Sequence, residues 1–255
     1  MAYPGYKEAI TKDFDEVFEY LRTRLAIGGK LPGETVATAK RVHASAYSLI
    51  TWKFRLRKIP KRGQIYLEEI ASDAIQILPQ VMFGFSKTAK LLMRGVIENT
   101  LRHIYFHDHP VEFTWANQAG KWYIAAAKMF EFLGSHPEFV LTEPKFDAIG
   151  QLSNLYSTLS AGVHGAAVRD LEMRTALKSI AFDQKRAEQD AELLHRCAAA
   201  ANFLIAIYHH EQVGSFSVNN RRLIMRTLPL KARQVWKDHE PCPEFKAAKS
   251  AVQSG

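Results

Sequence analysis

The chain holds 255 residues, 47% hydrophobic and 24% charged, enough apolar matter for a packed core and too much for long disordered tracts. Its formal charge of +8 and pI near 9.4 favour an anionic partner, RNA or another nucleic acid first, because a positive surface field speeds encounter with phosphates. No stretch reaches the ~20 apolar residues of a bilayer-spanning helix, and the first residues lack the basic-then-apolar order of a secretory signal; a cytoplasmic protein without a membrane partner is expected.

Apolar residues return every three or four positions almost throughout, which predicts helices. The first begins at the capping pair Asp13 and Glu16, carries the stripe Phe14, Val17, Leu21 and Leu25, and stops at Gly28-Gly29. Further helices are predicted over 34–54, over 65–78 (where Pro79 follows) and over 86–107, which Asp108-His109-Pro110 ends. Others follow over 120–133, 146–160 and 183–210, with a shorter basic one over 219–236; residues 165–182 are ambiguous. No segment alternates with period two, so no sheet is expected. The expected architecture is all-α, a single domain spanning 1–255 built as a bundle of about eight helices, with N-terminal helices over 13–60 and a C-terminal basic helix over 219–237. Two cysteines, Cys197 and Cys242, offer neither a disulfide framework nor a metal spacing.

Two segments carry chemistry. On the 86–107 helix, Arg94, Glu98 and Arg102 fall at i, i+4 and i+8 and share one face beside the apolar stripe Leu91, Ile97, Leu101 and Ile104. Two arginines flanking one glutamate can hold it ionised and keep guanidinium donors for a phosphate; the same pattern also describes a structural ion-pair ladder. Further on, Ser157, Ser160 and His164 share a face if the helix continues, while Gly162 and Gly165 suggest a break that presents His164 at a helix end. Histidine is the side chain best matched to proton transfer near neutral pH.

The Arg-x-x-x-Glu-x-x-x-Arg helix paired with the later Leu-Ser-x-x-Val-His segment resembles bacterial members of the HEPN-like superfamily, helical-bundle proteins of toxin–antitoxin, abortive-infection and other anti-phage defence systems. The resemblance covers roughly residues 70–212. It implies metal-independent RNA cleavage at a composite site built by two protomers, hence a homodimer, with a partner protein from the same defence operon. Arg102 and His107 satisfy the family's spacing of an arginine and a following histidine, so the resemblance nominates Arg94, Glu98, Arg102, His107, Ser160 and His164. Residues five apart on an ideal helix point about 140° from each other, so Arg102 and His107 can meet only if the helix ends near Phe106 or across a dimer. A helical adaptor without catalysis, binding nucleic acid or a partner enzyme, is the alternative.

His103, His107 and His109 with Asp108 could ligate a metal, but no further helix of ligands is defined. No glycine-rich phosphate loop or dinucleotide fingerprint is present. No metal and no cofactor is expected. Two basic clusters could grip a nucleic-acid backbone: Lys53, Arg55, Arg57, Lys58, Lys61 and Arg62 after Trp52, and Arg221, Arg222 and Arg226 with Lys231, Arg233 and Lys237. Cations interleaved with apolar side chains suit a helix that anchors on protein and touches phosphates.

Overall fold

The computed structural model describes residues 6–24, 33–118, 123–164 and 182–242. Those residues form twelve helices and no strand: α1 (Tyr6–Arg24), α2 (Gly33–Arg55), α3 (Lys61–Met82), α4 (Ser86–Asp108), α5 (Pro110–Gln118), α6 (Ala126–Ser135), α7 (Pro137–Val140), α8 (Ala148–His164), α9 (Gln184–Tyr208), α10 (His210–Gly214), α11 (Val218–Met225) and α12 (Leu230–Lys237). The fold is all-α. More helices occur than the expected eight because α5, α7 and α10 are too short to display a period and the helix expected over 219–236 is two.

Helices α2, α3, α4 and α9 pack as a ring, each against its two neighbours, and α8 lies against both α4 and α9. The buried core runs continuously from Phe14 to Val235. Helix α9 is its axis. From Cys197 to His209 almost every residue is buried, and Ala198, Ala200, Ala201 and Ala206 supply the small surfaces that let neighbours approach closely. The apolar run from Cys197 to Tyr208 therefore belongs to a core helix, and among the described residues no helix is long and apolar enough to cross a membrane.

Several boundaries differ from the sequence expectation. Helix α3 passes through Pro79 and ends at Met82; Gly84, just beyond it, has a φ of 76°, left-handed backbone that suits glycine. There the Phe85 amide bonds the Gln80 carbonyl at 2.8 Å and the Gly84 amide bonds that of Val81 at 3.1 Å, a Schellman closure. Proline is tolerated because it stands in the last turn and the residue whose carbonyl it leaves unpaired, Ile75, is exposed. Helix α1 begins before Asp13, which instead meets His43 Nε2 at 2.6 Å. The expected 219–236 helix is two helices, parted at Pro229; the Arg233 guanidinium donates to the Leu228 carbonyl at 2.8 Å and seals the corner.

Caps fix the two helices that matter most below. Asp183 Oδ1 accepts from the Arg186 amide at 2.7 Å at the start of α9. Glu143 Oε1 accepts from the amides of Ala148 and Ile149 at 3.0 and 2.9 Å and starts α8.

The interior is unusually polar where α3, α4, α7 and α9 meet. His103, His107, His136 and His209 are each at most 3% exposed. Their tautomers follow from their partners. The Gly63 carbonyl can only accept, so His103 donates from Nδ1 at 2.9 Å and accepts at Nε2 from His209 Nε2–H, also at 2.9 Å. The Glu138 amide donates to His136 Nδ1, so His136 Nε2–H donates to Asp108 Oδ2 at 3.2 Å. The Tyr208 hydroxyl donates to Asp108 Oδ1 and accepts from His107 Nδ1–H at 2.7 Å. Burial works to raise the Asp108 pKa, but the His107 Nδ1–H 3.6 Å away and the hydrogen bonds from His136 and Tyr208 outweigh it and hold the carboxyl well below its usual range. Gly63 lets α3 approach this network, since a Cβ there would stand 3.3 Å from the His107 ring.

On the other side of α9, Asn202 accepts from Trp52 Nε1 at 2.7 Å and donates to Ser48 Oγ and Thr227 Oγ1 at 2.8 and 2.9 Å. Near the end of the described chain, the buried Glu138 carboxylate is held by His239 Nε2 at 2.6 Å and by the Cys242 amide at 3.0 Å.

Candidate functional site

The seam between α4 and α8 gathers Arg94, Glu98 and Ser160 with a residue the sequence had not singled out, Tyr156. Arg94 donates from Nε to Ser160 Oγ at 3.0 Å and from Nη2 to the Tyr156 hydroxyl at 2.7 Å, and its Nη2 lies 2.8 Å from Glu98 Oε1. The guanidinium also stands over the Tyr156 ring, 4.9 Å from its centroid. Tyr156 donates to Glu98 Oε1 at 2.9 Å. Burial, then the Glu98 carboxylate, push the Tyr156 hydroxyl above the ordinary phenol range, which keeps it a donor.

Arg102 completes the face. Its Nη2 is 3.7 Å from Glu98 Oε2, an ion pair without a hydrogen bond, and its Nη1 donates to Asn99 Oδ1 at 3.2 Å. Asn99 in turn donates to Asp73 Oδ2 at 3.5 Å. Burial and the nearby Glu69 push the Asp73 carboxyl up to about 6.

All three charged side chains are partly open, at 21%, 16% and 29% exposure for Arg94, Glu98 and Arg102. Glu98 Oε1 is taken by Tyr156 and Arg94, whereas both Nη1 hydrogens of Arg94 have no partner among the described residues. Within the seam two guanidiniums face the single carboxylate of Glu98, and Asp73 stands behind Asn99. Such a seam can hold an oxyanion through charge-assisted bonds without moving the side chains that brace it.

Register decides which histidine can join. Glu98 pairs with Tyr156, Arg94 with Ser160, and Lys90 with Gly162, whose Cβ position lies 3.7 Å from the Lys90 side chain. The helices therefore run antiparallel. Helix α8 continues through Gly162 to His164; Gly165, the other residue of the expected break, lies outside the described residues. Residue 164 is the last described residue of α8, and by the register of the Tyr156–Glu98 and Ser160–Arg94 pairs its backbone falls near the level of Lys90, about 18 Å along the axis from the level of Arg102. The side chain of His164 and residues 165–181 lie outside the described residues.

The pairing of Arg102 with His107 does not form within the chain. Helix α4 runs unbroken to Asp108, so the two side chains leave it in divergent directions: Arg102 to Glu98 and Asn99, His107 to Tyr208 in the interior. Among the described residues no group of His, Cys, Asp or Glu is arranged to hold a metal ion.

The first basic cluster surrounds the α2–α3 turn. Lys53, Arg55, Arg57, Lys58 and Lys61 are exposed. Arg62 is not a free cation of that surface: its Nε donates to the His107 carbonyl at 3.2 Å and its Nη2 is buried. Trp52 meets Phe216 just ahead of α11, so this cluster and the start of α11 share one end of α2. Arg221 there donates to the Gly214 carbonyl at 2.6 Å. Arg222 and Arg226 are exposed, and Arg226 lines a separate pocket with Arg41, Ser45 and His195.

Tyr156 and Asn99 escaped the sequence reading because tyrosine and asparagine at helical spacing are common on any helix. The available signal was Tyr156 standing four residues before Ser160, on the same face. Comparison with protein-family models, curated proteins and solved structures gives no match.

Proposed function

We propose that the chain is a HEPN-like protein of a prokaryotic defence or toxin system that engages an RNA backbone phosphate at the α4–α8 seam and cleaves it without a metal. The observation that carries this reading is the bracing of Arg94 by Glu98, Tyr156 and Ser160, which aims a guanidinium whose outer edge is unspent. In this mechanism Arg94 and Arg102 stabilise charge developing on the phosphate, Glu98 and Tyr156 position them, and His164 moves the proton of the 2′-hydroxyl or the leaving oxygen. Register favours Arg94 over Arg102 as the neighbour of His164. A homodimer and an operon partner remain part of the proposal, since a second protomer can complete the site.

The test is cleavage of an end-labelled RNA in the presence of EDTA. Arg94→Ala and His164→Ala are expected to lose about 100-fold or more in rate, with the melting temperature of His164→Ala unchanged. Full activity in both variants overturns the assignment.

The interior placement of His107 favours a second reading, a non-catalytic adaptor that binds nucleic acid. On that reading reversing Arg55 and Arg57 abolishes function, and His164→Ala has no effect.

A further inference from the structure

A pocket of about 350 Å³ opens between the end of α2 and the first turns of α3, within the range that small-molecule sites occupy. Phe54 and Arg57 form one wall. The Phe54 side chain is 48% exposed, and the Arg57 guanidinium carbon stands 5.4 Å from its ring centroid. Leu56 and Leu67, both buried, line it together with Gln64 and Glu68. An aromatic ring left half in water beside a guanidinium plane is a platform on which another flat ring can stack.

Gln64 and Glu68 supply acceptors. Gln64 Nε2 donates to the carbonyls of Arg57 and Ile59, and since carbonyls only accept, the amide nitrogen must face the turn. Its Oε1 is left as an acceptor, and the Glu68 carboxylate adds two more oxygens. Lys53 lines the pocket as well, and Arg55, Lys58 and Lys61, close to it in the chain, are exposed cations. A ligand suited to all three features is planar, carries hydrogen-bond donors on its edge and hangs from a polyanion.

We propose that this pocket takes one unpaired guanine of a single-stranded RNA, stacked against Phe54 and Arg57, with its edge on Glu68 and Gln64 and its flanking phosphates on the surrounding cations. Guanine is selected because its N1–H and N2–H donors lie side by side and match a carboxylate in two parallel bonds, which no other standard base offers. A duplex is rejected because its bases are already stacked and paired. The proposal rests on the nucleic-acid reading of the 53–62 cluster and adds to it a strand type and a base.

The experiment is fluorescence anisotropy with a labelled ten-nucleotide uridine strand, the same strand with one central guanosine, and the latter annealed to its complement. The wild-type chain is expected to bind the guanosine strand about tenfold more tightly than the all-uridine strand, and the duplex more weakly than either. Phe54→Ala loses about fivefold or more on the guanosine strand with an unchanged salt slope, and Phe54→Tyr restores it. Glu68→Gln erases the preference for guanosine without weakening the all-uridine strand. Salt-dependent binding that Phe54→Ala leaves untouched, or equal affinity for duplex and single strand, overturns the pocket alone. No binding of any of these RNAs at low salt removes the nucleic-acid reading of the cluster and the pocket with it.

Discussion

His103 and His209 meet Nε2 to Nε2 at 2.9 Å inside the bundle, and the Gly63 carbonyl decides which ring owns the proton between them. Long-range proton–nitrogen NMR at neutral pH is expected to find His103 in the Nδ1–H form and His209 in the Nε2–H form. A second proton would set two N–H groups against each other in a dry site, a charge burial that native packing resists. An imidazolium signal from both rings in the folded protein would sink this assignment.

Asn202 serves three partners at once, and its absence strands them. Asn202→Ala leaves the Trp52 indole N–H without an acceptor in a site where both residues are fully buried. The expected loss is about 3 kcal/mol of unfolding free energy, read from urea unfolding midpoints. A change below about 0.5 kcal/mol would mean that the indole finds another acceptor.

Glu143 sets a pH dependence. Burial first, then Asp147, push its carboxyl from 4.5 up to about 7, against the opposing amides of Ile149 and Ala148. Between those two values the folded chain holds a proton that the unfolded chain has released, so stability falls as pH rises from about 4.5 to about 7. The side chain is partly open, which limits the effect to the order of 1 kcal/mol. Glu143→Gln is expected to flatten stability across that window, as measured by urea midpoints at both ends; an unchanged slope refutes the role.

Gly95 and Asp73 exclude each other's larger forms. A Cβ on Gly95 would lie 2.5 Å from Asp73 Oδ2, so Gly95→Ala is expected to destabilise the chain by about 1–2 kcal/mol. With Asp73 cut back to Ala the clash is gone, and the same substitution then gains about 1 kcal/mol of helix propensity. The sign reversal is the prediction, and a double-mutant cycle in urea checks it.

The long helices were legible because period and caps agree: 86–107 and 183–210 were expected where Ser86–Asp108 and Gln184–Tyr208 occur. The shared face of Arg94, Glu98 and Arg102 followed from four-residue spacing alone. What could not be read was register. Nothing local to Tyr156 says that α8 runs antiparallel to α4 with that tyrosine level with Glu98. Nor does anything local to His107 say that its side of α4 faces Tyr208, about 100 residues downstream. Pro79 misled for a related reason: its ordinary effect as a helix stop is weakest in a last turn beside solvent, a circumstance set by tertiary position.

The carboxylate of Glu138 gives the tail a task that its sequence does not advertise. His239 and Cys242 close over an acid that is 1% exposed, so residues 239–242 work as a stopper rather than an appendage. Proteolytic nicking between Lys237 and His239 would uncork an anion in the interior, and such a clipped chain should loosen around α7 before any of the four central helices gives way.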